Sequence, residues 1–298
     1  MHRNRNPVAR TEVDSGSLAF SMEKLGISRF DLRDPYHLAL TLSWPGFLGA
    51  MVLAYLVINL AFAELYVASP GCVANLPPHA LLDAFYFSVE TLATVGYGVM
   101  APASRYGHAV ATVEIFVGML FTATMTGLLF VRLSKPKAKV LFAARPVVAR
   151  AGAAHPTLMI RIGNGRANAL IEAVARVTVF VEDLRPDGQF FRRAVDLELA
   201  RADLPFFALT WTLMHELTPA SPLHGVIDDA GRLATLRMMI SVSALDQALG
   251  AEVHAMHGYT GADFAPGMRY IDAITTHEDH TVADMRMISA IEAEPAPA

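Results

Sequence analysis

Two stretches of this chain are apolar for long enough to cross a bilayer, and a third, too short to cross, lies between them. Trp44 to Val67 holds one acid, Glu64, near its far end. As a helix rising ~1.5 Å per residue it covers a hydrocarbon core of ~30 Å. The second stretch runs from Tyr106 to Leu133, with Glu114 in its outer half and no charge from Ile115 to Val131. Between them Ala80 to Ala93 carries Leu81, Leu82, Phe85, Val89 and Leu92 at helical spacing and reads as a re-entrant half-helix. That half-helix ends on Thr94-Val95-Gly96-Tyr97-Gly98. A backbone that aims successive carbonyls at one axis must alternate between right- and left-handed conformations, and glycine enters the left-handed well without a Cβ clash. Gly96 and Gly98 supply that freedom, which predicts that Val95 and Tyr97 turn away from the axis into surrounding protein. A half-helix pointing its partially negative C-terminal end at such a path favours a cation there.

Basic residues set an orientation. Lys24, Arg29 and Arg33 precede the first span, and Arg132, Lys135, Lys137, Lys139 and Arg145 follow the second, while the connection between the spans offers only Arg105. Both termini are therefore expected on the cytoplasmic side. Met1 to Arg33 is polar and broken by charges, so the first span rather than a secretory signal is expected to direct insertion. Asp34 as N-cap and Pro35 at the first helical position start a short helix with Tyr36, Leu40 and Trp44 on one stripe. It reads as interfacial, because Pro45 and Gly46 interrupt a continuous helix.

The chain's apolar excess, 53% hydrophobic against 17% charged, is concentrated before residue 136, and the second half is ordinary in composition. A net charge near −4 offers no field for nucleic acid. The lone Cys72 forms no intrachain disulfide and reads as an inert thiol. After Lys139 the period changes to two. Val177, Val179 and Val181 alternate with Arg176, Thr178 and Glu182, then Arg185-Pro186-Asp187-Gly188 supplies turn chemistry, and Phe191, Val195, Leu197 and Leu199 resume the alternation. Further strands are predicted at Thr157 to Ile162, Phe207 to Met214, Leu236 to Val242, Glu252 to Tyr259 and Arg269 to Thr275. Together they predict an antiparallel sandwich of seven or more strands. The resulting organisation is a segment 1–33, a short helix at 34–43, a membrane pore region at 44–135 and a β domain at 136–298.

Thr94 to Gly98 resembles the selectivity filter of potassium channels, and the wider pattern resembles the prokaryotic inward-rectifier potassium channels, the KirBac family. The residues that carry this are Pro35-Tyr36-His37, Ser43-Trp44-Pro45, Phe87 through Gly98, Ile115 to Met119 and Lys135 to Phe142. In the second half they are Leu158 to Asn164, Trp211 to His215, Ser221-Pro222-Leu223 and Val253-His254-Ala255. The resemblance implies a homotetramer around one pore in the bacterial inner membrane, with potassium at Thr94, Val95, Gly96 and Tyr97, no organic cofactor, and immunoglobulin-like cytoplasmic domains. By position it implies a bulky gate at Phe130, a hinge at Gly118 with a second flexible point at Gly127, and a pore-cavity position at Thr122. The alternative for either glycine is a small residue that lets helices approach. Arg132, Lys135 and Lys137 stand where such channels meet anionic lipid, phosphoinositide among them, although positive-inside charge alone places bases there.

This chain departs from the family pattern in several places. Val99 follows the filter where a polar residue is common, which predicts weaker hydrogen bonding at the outer mouth. Glu90 lacks a basic partner, because Met100 stands there, and is expected protonated or bonded to backbone. Neutral Thr122 predicts weak block by polyamines or magnesium. Met256 replaces an expected arginine, while Gly250 keeps the glycine of a cytoplasmic constriction loop.

Other chemistries fit poorly. His215-Glu216 meets Pro219 where HExxH needs its second histidine, so no zinc hydrolase is expected. His277 to His280 reads as a solvated turn ahead of a metal site. Gly163-Asn164-Gly165 is no dinucleotide fingerprint. The alternatives are a two-span channel with another gating ligand, or a non-conducting sensor or scaffold whose β domain binds a partner.

Overall fold

The computed structural model describes residues 10–12, 23–25, 34–150, 154–184 and 190–295. It divides into two compact units, Ser28–Lys135 and a second that joins Met1–Ile27 to Pro136–Ala298.

In the first unit α1 spans Pro35–Thr41, and the Asp34 carboxylate caps it by accepting the His37 N–H at 2.9 Å. The Tyr36, Leu40, Trp44 stripe is not one helix. The α1 helix stops at Thr41, two residues ahead of the predicted break, and α2 spans Trp44–Val67 with Ser43 as its N-cap. Pro45 lies inside the first turn of α2, where its missing N–H is no loss. The break falls earlier because Leu42 and Ser43 adopt extended backbone to supply that cap. Helix α3 spans Leu81–Leu92 and α4 spans Arg105–Leu133. Helices α2 and α4 are long and apolar enough to cross a membrane.

The second unit holds two five-stranded sheets. One is ordered Asp203–Phe207, Leu170–Leu184, Arg237–Asp246, Ala251–Thr260, with Phe190–Asp196 also on Leu170–Leu184. The other is ordered Thr210–Glu216, Thr157–Asn164, Val147–Ala149, Ala265–Pro266, with Val140–Phe142 also on Thr157–Asn164. The period of two shows in burial: Val177 and Val179 are fully buried, while Arg176 between the buried positions is exposed and Thr178 and Phe180 are half-buried. One core cluster draws Ile160, Ile162 and Leu213 from one sheet and Val177, Met238 and Ile240 from the other.

Three strand expectations need correction. The pairing of Ala265–Pro266 with Val147–Val148 is parallel, so the sandwich is not purely antiparallel. Phe207 ends the strand Asp203–Phe207, and a bend at Ala208 and Leu209 precedes Thr210–Glu216. Arg269 to Thr275 is two pieces, Met268–Tyr270 and Ile274–Thr276, pairing with Ile291–Ala293 and Thr281–Ala283 respectively. The turn Arg185 to Gly188 lies outside the described residues. Backbone pairing also joins Arg10–Glu12 to Glu23–Leu25.

Candidate functional site

Helix α3 ends in a series of backbone contacts that shape the next five residues. Thr94 N–H donates to the Thr91 carbonyl at 3.0 Å, and the Glu90 carbonyl accepts from Val95 at 2.8 Å and from Gly96 at 3.3 Å. Thr94, Gly96 and Gly98 have φ of 58°, 57° and 85°. Left-handed backbone thus recurs at every second residue, and Thr94, a β-branched residue that pays for that conformation, joins the two glycines. The five residues are exposed within one chain, Val95 at 51% and Tyr97 at 75%. Val95 is therefore only about half covered by its own chain, and Tyr97 less.

The outer end is tied down despite Val99. Asn75, at φ 61°, donates through Nδ2 to the Val99 carbonyl at 2.7 Å. Val73–Ala74 pairs with Ala101–Pro102, and Ala103 N–H donates to the Cys72 carbonyl at 2.8 Å. The expected weakness at the outer mouth is met by a backbone carbonyl, which any side chain at position 99 leaves available. Glu90 contributes its main-chain carbonyl rather than its carboxylate, which has no hydrogen bond or ion pair among the described residues. Cys72 is buried with Sγ 3.3 Å from the Tyr66 carbonyl, and desolvation pushes its thiol up from the ordinary range.

Behind α3 lies a polar cluster that sequence reading passed over. Glu114 of α4, Ser88 of α3, and Asn59 and Tyr66 of α2 are each fully buried and linked to one another. The available signal was an amide, a hydroxyl and a carboxyl inside otherwise apolar segments, where polar groups are expensive to bury. Close by, Gly118 packs so tightly on the end of α3 that a Cβ would collide with the Leu92 carbonyl. A Cβ on Gly127 would meet nothing within 4 Å. Gly118 thus acts in this structure as a contact, in an α4 that runs unbroken for 29 residues.

Thr122 and Phe130 stand two helical turns apart on an exposed stripe of α4, with Phe130 68% exposed. Arg132 faces the other way. Its Nη1 donates to the Ala39 carbonyl at 2.6 Å and its Nη2 to the Leu42 carbonyl, while its guanidinium carbon sits 4.8 Å from the ring centroids of Trp44 and Phe47. Arg132 therefore holds the end of α1 through carbonyls that a helix terminus leaves unpaired. Lys135 and Lys137 are exposed.

In the β unit, Gly250 occupies a left-handed turn position between Arg237–Asp246 and Ala251–Thr260, and Asp246 accepts from the Ala248 and Leu249 amides to close that turn. His215 lies on a strand, its ring bonded to the Glu198 carbonyl at 2.7 Å and the Ser221 hydroxyl at 2.8 Å. Around His277 and His280 the described residues hold no group of three metal-ligating side chains, and the His277 N–H bonds the His280 carbonyl to make a turn.

Residues 50–135 match the ion channel family model, and residues 140–298 match the inward rectifier potassium channel C-terminal domain model. The inward rectifier potassium channel Kirbac3.1 of Paramagnetospirillum magnetotacticum is 34% identical over 92% of this chain and 92% of its own length. The G protein-activated inward rectifier potassium channel 1 of Homo sapiens is 25% identical over 87% of this chain. The ATP-sensitive inward rectifier potassium channel 12 of Bos taurus is 28% identical over 70% of it. This chain spans 53% and 50% of those two mammalian proteins. With two spans and these matches it is an integral membrane protein. The chain belongs to the inward rectifier potassium channel family, a family of ion channels and not of enzymes.

Proposed function

We propose that four copies of this chain surround one pore through which potassium moves passively down its gradient. The observation that carries this reading is the left-handed backbone at Thr94, Gly96 and Gly98 at the end of α3. That alternation suits a row of carbonyls replacing the water shell of an ion, with potassium as the permeating substrate at Thr94, Val95, Gly96 and Tyr97. One such strand cannot enclose an ion, and a closed ring of identical copies supplies the missing sides. The same ring gives exposed Val95 and Tyr97 something to pack against.

In this reading Phe130 is the gate: four phenyl groups brought together near the inner ends of the second spans close the path by dewetting. Thr122 faces the pore cavity on the same stripe and leaves it uncharged, which supports weak block by cations from inside. Gly127, with open space around it, is the flexible point of α4, and Gly118 is its contact with α3. Lys135 and Lys137 meet anionic lipid headgroups, phosphoinositides included, while Arg132 transmits the position of α1 to α4. Both termini and the β domain lie in the cytoplasm of a bacterial cell, with the pore in its inner membrane, and the positive-inside charge pattern supports that orientation.

The test is potassium-gradient-driven uptake of radioactive rubidium into liposomes holding the purified protein. Uptake that barium blocks and sodium cannot support is the expected result. Failure of uptake in every lipid composition tried overturns the channel reading in favour of a non-conducting sensor.

A further inference from the structure

Glu114 is fully buried, and among the described residues no cation faces it. What faces it is Tyr66 of α2, whose Oη donates to Oε2 at 2.6 Å, and Ser88 of α3, whose Oγ lies in hydrogen-bond contact with Oε1. Behind Ser88 stands Asn59 of α2, with Oδ1 at 3.1 Å from the same Oγ and Nδ2 donating to the Tyr55 carbonyl at 2.7 Å. A count of hydrogens orders this cluster. The Tyr55 carbonyl accepts only, so it fixes the Asn59 amide with nitrogen toward Tyr55 and oxygen toward Ser88. The single hydroxyl hydrogen of Ser88 is then needed for Asn59, and none remains for Glu114. The series closes when the carboxyl supplies the missing hydrogen: Glu114 donates to Ser88, Ser88 to Asn59, and Asn59 to the Tyr55 carbonyl, while Tyr66 donates into the other carboxyl oxygen. An ionised carboxylate in the same place is one hydrogen short and has no counter-ion in an apolar surrounding.

We propose that Glu114 is a positioning residue for the filter and that it does this as a neutral carboxylic acid donating to Ser88. The proposal rests on the channel reading above. Ser88 lies two residues before Glu90, whose carbonyl takes the Val95 and Gly96 amides, and four before Leu92, whose carbonyl abuts Gly118. A shift of α3 therefore moves the first filter carbonyls directly. The buried acid joins α2 and α4 to α3 and removes that freedom.

The amide of glutamine reproduces the donor–acceptor pattern of the neutral acid, with Nε2 toward Ser88 and Oε1 toward Tyr66, and cannot reproduce a carboxylate. In full-length protein reconstituted in liposomes, Glu114→Gln is expected to keep potassium-over-sodium discrimination within about threefold of the parent, whereas Glu114→Leu and Ser88→Ala lose about tenfold, the scale of a lost buried hydrogen bond. The tetramer should persist in all three, as read by cross-linking. Glu114→Gln losing as much as Glu114→Leu overturns the neutral acid, and unchanged discrimination in Glu114→Leu overturns the positioning role. Infrared spectroscopy decides the proton independently of flux. The difference between parent and Glu114→Gln is expected to show the C=O stretch of a carboxylic acid, and carboxylate bands in its place overturn the proposal. A parent protein without selective flux overturns the positioning role along with the channel reading, and the infrared result still decides where the hydrogen lies.

Discussion

In the β unit Ile160, Val177, Val179, Met238 and Ile240 keep 1% exposure or less, all within one chain. In the membrane unit Val52, Leu53 and Val57 of α2 and Phe116 of α4 are each more than half exposed. The buried side chains of that unit include instead the polar set Asn59, Ser88 and Glu114. A chain bound for lipid gains nothing by hiding leucine from water, so its helices must be specified by hydrogen bonds, close glycine contacts and backbone geometry. The β unit is specified by the hydrophobic effect acting on a period of two. Substitutions should therefore divide cleanly, with backbone and polar changes acting on one unit and core truncations on the other.

The sharpest attempt to break this division is Gly96→Ala or Gly98→Ala. Each forces an L residue into the left-handed region at about 1–2 kcal/mol per chain. In the proposed ring of four chains that cost is multiplied, so selective rubidium uptake should fall by at least ~100-fold while the thermal transition of the β unit stays put. Normal selectivity in either variant would return the pentapeptide to an ordinary turn.

Ile160→Ala is the converse. It removes a fully buried side chain from the sandwich and should destabilise that unit by about 2–5 kcal/mol, read as a lowered urea midpoint of the full-length protein in detergent. Its potassium-over-sodium discrimination should not change under conditions where the protein stays folded. Equal effects on both readouts would mean that the two regions are not separable in this way.

Two glycines of α4 sharpen the comparison within the membrane unit. Gly118→Ala drives a methyl group into the Leu92 carbonyl and should cost about 1–3 kcal/mol as overpacking. Gly127→Ala meets open space and should gain up to about 1 kcal/mol of helix propensity. If Gly127 is the flexible point, that gain comes with reduced flux. Thermal stability of the full-length protein in detergent checks the opposite signs.

What could be read from the residues beforehand follows the same division. The bounds of α2 were legible because the lipid-length apolar run from Trp44 to Val67 is unmistakable, while the cap at Ser43 and the place of Pro45 in its first turn were not. The left-handed positions at Gly96 and Gly98 were legible because glycine enters that backbone without a Cβ clash, whereas the one at Thr94 was not. Asp34 was legible as a cap because its chemistry is local. The bend at Ala208 and Leu209 was not, since Phe206 to Leu213 is an unbroken mostly apolar run with no glycine or proline to punctuate it. The Glu114 cluster was not, since its members come from three helices separated by dozens of residues. Arg132 was read as a lipid ligand from its place after the second span, and its bonds to Ala39 and Leu42 arise only once α1 folds back beside α4.

Arg132 nevertheless offers a smaller and more local test. Arg132→Lys keeps the charge but loses the planar fork that reaches two carbonyls and stacks on rings. Hydrogen exchange of the amides of α1 should speed up by about tenfold, the worth of one or two charge-assisted bonds, with the exchange of α3 amides unchanged. Exchange in α1 that does not move would leave Arg132 to the lipid.

The β unit holds the same device, which allows the smallest effect to be predicted by analogy. Arg161 lies with its guanidinium carbon 4.6 Å from the Tyr270 ring centroid and donates through Nη1 to the Ile271 carbonyl at 2.6 Å. The Tyr270 hydroxyl donates to the Arg145 carbonyl at 2.8 Å. Burial pushes the Tyr270 phenol up to about 12 against the opposing pull of Arg161. The unfolded chain releases this proton near 10, so between the two values the unfolded state binds fewer protons than the folded one, and stability falls as pH rises. The contribution is fully present below pH 10 and gone above pH 12. Tyr270→Phe, which has no proton to lose, should flatten that part of the alkaline unfolding curve relative to the parent without touching flux at neutral pH. An identical slope in the variant would mean that the phenol is solvated in the folded state and its proton carries no stability, leaving to the ring, which phenylalanine keeps, whatever the contact with Arg161 holds in place.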